Sequence, residues 1–424
     1  MSSSPWTAAS LPEPSATAPA VGTLRPATRI HVGDGVRAQV PALVAVHGRR
    51  VLVVVDPFLA TGAHFIALLE AMEASGLQLR VVTDVVAELP VASLSGPAAA
   101  AREHDADVVL GFGGGSALDA AKLVSLLATY GGPLQRFYGE NQVPGPVLPV
   151  VAVPTTAGTG SEVTPVAVVS DPERELKVGV SSPYLVPVAA IVDPELTHGV
   201  PASVTAHSGI DSLVHAVESF TARRLDVDWA GTPPVFTGRN ALSDPVSLEA
   251  ARRLGPWLAV AVREPGNAKA RREVALGSLL GGLAFGSTGT HLCHAIQYPL
   301  GAMTHTPHGL GTGLMLPYVL DVIREDPEVA GRMATLHAAL EGLGPREGTA
   351  SGLVSTTAEL GRQLGLPTSL ADIGLDRSAL PRVAALTMAS SRLVAIAPVD
   401  VTPDLVLHIL YRAWAGDLTE RSDA

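Results

Sequence analysis

Residues 106–122 read Ala-Asp-Val-Val-Leu-Gly-Phe-Gly-Gly-Gly-Ser-Ala-Leu-Asp-Ala-Ala-Lys. An apolar run that ends in three glycines and passes into an Ala- and Leu-rich stretch predicts a buried strand, a tight turn and a helix. Glycines let a backbone approach a pyrophosphate, and the free amides and dipole at a helix start favour its negative charge. The pattern is neither the G-x-G-x-x-G fingerprint nor a P-loop. Three glycines after a strand also make an ordinary turn; their place between strand and helix favours a phosphate.

The neighbouring segments extend this unit into a sheet. Arg50–Val55 (RVLVVV), Leu79–Thr83 (LRVVT) and Val150–Val153 (VVAV) read as further buried strands, separated by stretches of helical period. Strands alternating with helices imply a parallel sheet with right-handed crossovers. From Ser203 to Ala415 the strand pattern gives way to long helical runs divided by Gly and Pro, with loops expected at Asp226–Asn240 and Glu341–Gly348. The expected organisation is a Rossmann-like, dinucleotide-binding α/β domain over residues 28–199 and an all-α domain over 200–424. Ligands then belong in the cleft at the carboxyl ends of the strands. Residues 1–27, rich in Ser, Ala, Pro and Thr, are expected to be a disordered tail and lack the charged start and apolar core of a signal peptide.

At 424 residues, 47% apolar and 16% charged, the chain can bury two full cores. Its net charge of −11, with no basic cluster, excludes a nucleic-acid surface and gives no support to membrane-surface binding. No apolar run is long enough for a membrane span. The single cysteine, Cys293, excludes an internal disulfide framework and a Cys-rich metal site, and it reads as a small buried hydrophobe. A reducing cytoplasm is the compartment expected.

The second half supplies a metal set. Asp211 and His215 stand i and i+4 on an expected helix, so they share a face. His294 and His308 flank a stretch in which Pro299 and Gly301 are expected to break helix from helix. Three imidazoles and one carboxylate suit Zn²⁺ or Fe²⁺ and leave a position open for substrate. In the first half, Asp56 ends a strand where a carboxylate binds ribose hydroxyls and repels a 2′-phosphate, which favours NAD over NADP; a plain turn carboxylate is the other reading. The small-residue loop 154–164 suits a sugar-phosphate or is an ordinary polar loop. Lys177 lies over a ribose or phosphate, or on the surface. Of the remaining histidines, His305 is a candidate substrate contact in the turn, while His207 and His291 read as surface or supporting residues.

Taken in order, GGGSALDAAK, PTTAGTGSEVTPVAV, GIDSLVHAVES and HAIQYPLGAMTHTPHG resemble the iron-containing (group III) alcohol dehydrogenase family over about residues 28–415. The resemblance implies the dehydroquinate-synthase-like fold, NAD and Fe²⁺ (or Zn²⁺), a homodimer, and hydride transfer between a small alcohol or hydroxy acid and its aldehyde or ketone. It implies Asp211, His215, His294 and His308 as metal ligands. Gly113, Gly114, Gly115, Ser116 and Asp119 fall in its pyrophosphate segment, Asp56 at its ribose carboxylate, and Thr155, Thr156, Thr164 and Lys177 at further cofactor contacts. His294, His308, Tyr298 and His305 are the catalytic candidates. Two positions depart from the pattern. Tyr298 stands where many members carry a relay histidine, and Leu89 where an Asn is frequent. The segment Asp226–Asn240 and Tyr298-Pro299 resemble the hydroxyacid-oxoacid transhydrogenase branch, which retains its nicotinamide, and that is the alternative activity.

Overall fold

The computed structural model describes residues 22–174, 177–344 and 346–418. Nine strands are described: β1 (Arg29–Val32), β2 (Arg50–Val55), β3 (Gln78–Val82), β4 (Val108–Gly113), β5 (Gly139–Glu140), β6 (Val150–Pro154), β7 (Val166–Ser170), β8 (Lys177–Ser181) and β9 (Ala189–Val192). The helices that alternate with them are α1 (Val40–Ala45), α2 (Ala63–Ala74), α3 (Ser95–Glu103) and α4 (Gly115–Tyr130). β2 shows why a continuous valine run makes a central strand. Val51, Val53 and Val55 pack on one face and Leu52 and Val54 on the other, so both faces are dry.

The main sheet is parallel throughout, in the order β1-β9-β6-β4-β2-β3. From β2 the chain steps outward to β3 and then returns to the other side of β2 as β4. The strand order therefore reverses between β2 and β4, and a crevice opens beyond their carboxyl ends. Asp56 follows β2 and the glycine turn follows β4 at that point. A second, three-stranded sheet has the order β5-β8-β7.

After β9 the described chain forms no further strand. It continues as α5 (Ala202–Thr221), α6 (Ser243–Arg263), α7 (Ala268–Thr288), α8 (Leu292–Thr304), α9 (His308–Ile323), α10 (Pro327–Glu341), α11 (Ala350–Gln363), α12 (Leu380–Ala389), α13 (Ser391–Ile396) and α14 (Pro403–Ala415). Their core runs from Ile210, Leu213 and Val214 on α5 to Leu254 on α6, Ile296 on α8 and Met315 on α9. No described helix is long and apolar enough to cross a membrane.

Several sequence expectations are corrected. β1 and β5 carry no apolar run, and the short apolar runs of β7 and β9 lie outside the strands expected from the sequence. Pro299 and Gly301 do not break α8, which continues to Thr304 and ends where His305 turns left-handed (φ 55°). The expected tail over 1–27 falls on described residues only at 22–27, and those are fastened. The Arg25 backbone N–H donates to Ser287 Oγ (3.0 Å), its guanidinium donates to the Val235 carbonyl (2.5 Å), and Ala27 is buried.

Lys122 joins α4 to the small sheet. It is fully buried, and its ammonium donates to the carbonyls of Thr164 (3.0 Å) and Val166 (2.9 Å), 3.9 Å from Asp119. Burial pushes its pKa down to about 8, against the pull of Asp119. Removing one partner of such a cluster strands buried carbonyls and a carboxylate. Lys122→Ala is expected to cost about 3–5 kcal/mol in urea unfolding, and Lys122→Met less; equal, negligible losses in both would contradict this role.

Candidate metal and nucleotide site

Asp211, His215 and Glu218 occupy positions i, i+4 and i+7 of α5, one face of the helix. That face meets the start of α8, which carries His294, and the start of α9, which carries His308. Gly309 makes the second approach possible, because a Cβ there would lie 2.0 Å from the His207 carbonyl oxygen and 2.9 Å from Asp211 Cβ. Asp211, His215 and His294 are buried, and one ligand atom from each lies within 4.8 Å of the others. Around the Asp211 carboxylate, Nε2 of His215 is 3.7 Å away, Nε2 of His294 3.8 Å and Nε2 of His308 3.9 Å. His308 stands at the rim, its side chain 29% exposed.

The hydrogen bonds behind these groups aim them inward. Glu218 Oε2 lies 2.6 Å from His294 Nδ1, and the carboxylate also accepts the backbone N–H groups of His291 (2.9 Å) and Cys293 (2.6 Å). Burial would raise the Glu218 pKa, but His291, His294 and these amides outweigh it and hold it down at about 2. An ionised Glu218 makes Nδ1 of His294 the donor and leaves Nε2 as a lone pair. That Nε2 is buried and has no hydrogen-bond partner among the described residues. Thr312 donates to Asp211 Oδ1 (2.7 Å) and orients the second carboxylate. Burial presses the pKa of His215 down to about 4 and that of His308 to about 3, so both are neutral donors at neutral pH. Neutral imidazoles at His215 and His308 beside an ionised carboxylate, with the unpartnered Nε2 of His294 buried among them, fit a divalent Zn²⁺ or Fe²⁺.

A cleft with about 910 Å³ of empty space joins this set to the glycine turn; its walls include Gly115, Ser116, Thr164 and Lys177 beside Asp211, His215, His294 and His308. Gly113 adopts φ +153°, which a side chain rarely tolerates, and Gly114 caps α4 without a side-chain hydrogen bond. The amides at the start of α4 therefore face a ligand space. Thr156 packs on Gly114, and Thr159 lies where a Cβ on Gly115 would fall, at 2.5 Å. Asp56 abuts Gly113; its Oδ1 accepts the Phe58 N–H (3.1 Å), so the turn reading holds for that oxygen. Its Oδ2 takes no hydrogen bond from a described residue.

Other sequence candidates have different surroundings. Both Asp119 oxygens are committed, one to Ser161 Oγ (2.5 Å) and one to the Val168 N–H (2.9 Å), so Asp119 shapes the loop. Thr155 is buried and its N–H donates to Gly113 O (2.9 Å). The Thr164 hydroxyl accepts from Lys122 (3.3 Å). Lys177 is ion-paired to Glu88 at the cleft wall. His305 does not join the site: it is exposed, ends α8 and is absent from the cleft lining. His291 is buried against Thr221 Oγ1 (2.9 Å). Tyr298 lies beside His308, ring centroids 6.1 Å apart, and burial raises its pKa. Leu89 is buried in the cleft wall, an apolar side chain where the resemblance expects an amide.

Sequence reasoning missed Glu218, Thr312, Phe236, Phe285 and Arg392. The first two were within reach, since Glu218 is three residues beyond His215 and Thr312 four beyond His308 on their helices. The others come from distant elements, and Phe285 stacks on His215 with centroids 4.2 Å apart.

Comparison with known proteins places these features in a family. The model described as "Iron-containing alcohol dehydrogenase" matches residues 27–194, and "Fe-containing alcohol dehydrogenase family, C-terminal" matches residues 205–414. "Long-chain-alcohol dehydrogenase 1" of Geobacillus thermodenitrificans is 34% identical over 397 residues, 92% of this chain and 96% of the relative. Among solved structures, a 1,3-propanediol oxidoreductase superposes with a TM-score of 0.83 at 26% identity, covering 92% of this chain and 99% of its own. The sulfoacetaldehyde reductase of Bifidobacterium kashiwanohense, in complex with NAD⁺, gives 0.80 at 25% identity, covering 94% and 100%.

Competition with a calibrated chelator should show one tight divalent metal per chain. Glu218→Gln is expected to weaken it by roughly 10–100-fold while the fold persists, as loss of a ligand-orienting carboxylate does. Unchanged affinity would mean that Glu218 does not orient His294.

Proposed function

The chain belongs to the iron-containing alcohol dehydrogenase family, and from that premise we propose how its cleft interconverts a small alcohol and its aldehyde or ketone with NAD(H). The observation that carries the reading is that the glycine turn at the β2–β4 switch point and the Asp211, His215, His294, His308 set line the same cleft. Those four side chains would hold Fe²⁺ or Zn²⁺, which would supply a positive charge to polarise a substrate oxygen, and NAD bound at the glycine turn would supply the hydride acceptor.

The chain's own residues bind and orient. The amides of Gly114, Gly115 and Ser116, with the positive end of α4, hold the pyrophosphate. Asp56 presents Oδ2 to the adenosine ribose and disfavours a 2′-phosphate. Phe285 and Phe236 give the cleft apolar walls that exclude water around the reacting carbon. Tyr298, its pKa raised by burial, keeps its proton and acts as a hydrogen-bond donor. The proton exchanged with substrate then passes to solvent without a side-chain base at position 298.

The transhydrogenase reading differs in one measurable respect, because it needs nicotinamide that stays bound. Denaturing the purified, metal-loaded protein is expected to release far less than one nicotinamide per chain, and added NADH should be oxidised by aldehydes. Stoichiometric nicotinamide together with hydroxy-acid/keto-acid exchange in the absence of added NADH would favour the transhydrogenase. Metal-loaded protein that fails to oxidise NADH in the presence of every aldehyde and ketone offered would overturn the dehydrogenase reading.

Two substitutions test the residue roles. Tyr298→Phe is expected to lower kcat by less than about tenfold, whereas loss of a general base costs 10²–10⁴-fold; a loss in that larger range would make Tyr298 the relay. Asp56→Ala should raise the NADPH/NADH ratio of kcat/KM by about tenfold, and an unchanged ratio would leave Asp56 with the turn alone.

A further inference from the structure

Arg392, on α13, stands in the wall of the cleft lined by Asp211, His215, His294 and His308 and also of the outer cavity that opens beside it; Tyr298 and Lys177 are the other residues common to both. The cleft wall contains two permanent cations, Lys177 and Arg392. Lys177 is neutralised by Glu88. Arg392 is not matched in the same way: its nearest carboxylate oxygen, on Glu140, is 3.9 Å from Nε, and no described residue accepts a hydrogen bond from its guanidinium. Glu140 is itself drawn elsewhere, since its other oxygen accepts the Val235 N–H (2.8 Å).

The Arg392 guanidinium lies over the Phe236 ring, with Cζ 4.4 Å from the ring centroid. The ring contact restrains the side chain, which is only 29% exposed. Arg392 lines the same cleft as His294, His308 and Tyr298. A guanidinium with only a long ion pair to Glu140, and a Tyr298 hydroxyl without a hydrogen-bond partner among the described residues, thus line the same cleft as the metal ligands. A guanidinium fork is suited to the oxygens of a carboxylate, sulfonate or phosphonate.

Resting on the dehydrogenase reading above, we propose that Arg392 sets substrate specificity, binding the fixed negative charge of a small anionic aldehyde or ketone whose carbonyl lies toward His294 and His308. A neutral alkyl aldehyde leaves the fork unpaired in a partly desolvated wall, so discrimination comes from the polar contact it fails to make. The shared ligand chemistry is an oxyanion group on a short chain. Sulfonate and phosphonate present three oxygens in a tetrahedron and carboxylate two in a plane, and the assay separates them.

The test compares metal-loaded wild type with Arg392→Gln and Arg392→Lys, using NADH with propanal, sulfoacetaldehyde, phosphonoacetaldehyde and succinic semialdehyde. Wild type is expected to favour at least one anionic aldehyde over propanal by more than tenfold in kcat/KM. That anionic-to-neutral ratio should fall by roughly thirtyfold or more in Arg392→Gln, mainly through KM, with partial recovery in Arg392→Lys. A wild type that does not favour any anion, or a ratio that Arg392→Gln leaves unchanged, overturns the proposal while propanal turnover upholds the dehydrogenase reading. Calorimetric titration of the metal- and NAD-loaded protein with isethionate and 2-hydroxyethylphosphonate, against 1-propanol, reads binding without turnover. Binding of either anion that Arg392→Gln abolishes, with no aldehyde reduced, would sustain the anion site and remove the dehydrogenase reading. The absence of anion binding as well as turnover would reject both.

Discussion

The Glu218 carboxylate is completely buried, and it is shared by the His294 imidazole and the backbone amides of His291 and Cys293. A buried charge of this kind survives only where every acceptor position is answered, so the start of α8 cannot slide along α5 without leaving it unpaired. The same contact decides the tautomer of His294. With Nδ1 donating to Glu218, Nε2 is the nitrogen turned toward Asp211 and His215, and the metal set takes its shape from that choice. Thr312 does for the Asp211 carboxylate what Glu218 does for the imidazole.

The opposite wall of the cleft is tied to α5 as directly. Ser212, next to Asp211, donates to the carbonyl of Gly158 (3.0 Å) in the loop that follows β6. In that loop Gly160 and Gly282 of α7 meet so closely that a Cβ on Gly160 would lie 2.4 Å from the Gly282 Cα. Thr159 of the same loop abuts Gly115 in the turn, and Lys122 of α4 holds Thr164 at its far end. The glycine turn and helix α5 are therefore fixed relative to each other by one loop of small residues. That loop acts as the gauge between the two halves of the chain, and hydride transfer depends on such spacing.

Local pattern carried the reading where it repeats along one element. The valines of β2, the strand–glycine–helix unit of β4 and α4, and the i, i+4 pair Asp211 and His215 are each decided within a few residues, and His294 and His308 join the pair through their spacing, which the family motifs support. What escaped depends on partners far away in the chain. β9 is a four-residue AAIV strand whose place between β1 and β6 is set by pairing with segments distant in the chain. Pro299 and Gly301 read as breakers but are accommodated within α8, where Gly301 lies against Gln297. Asp119 looked like a phosphate-loop carboxylate until Ser161 and Val168, more than forty residues on, claimed both oxygens. Arg392 has no local pattern at all; only the folding of α13 over the cleft makes it part of the site.

The central claim is that Asp211, His215, His294 and His308 converge on a single divalent metal across the cleft from the glycine turn. Anomalous diffraction from crystals of the zinc-loaded protein tests it most directly. The account predicts one dominant peak per chain, about 2.0–2.2 Å from one oxygen of Asp211 and from a nitrogen of each of the three histidines. A peak elsewhere, or one that leaves Asp211, His215 or His294 uncoordinated, would contradict it.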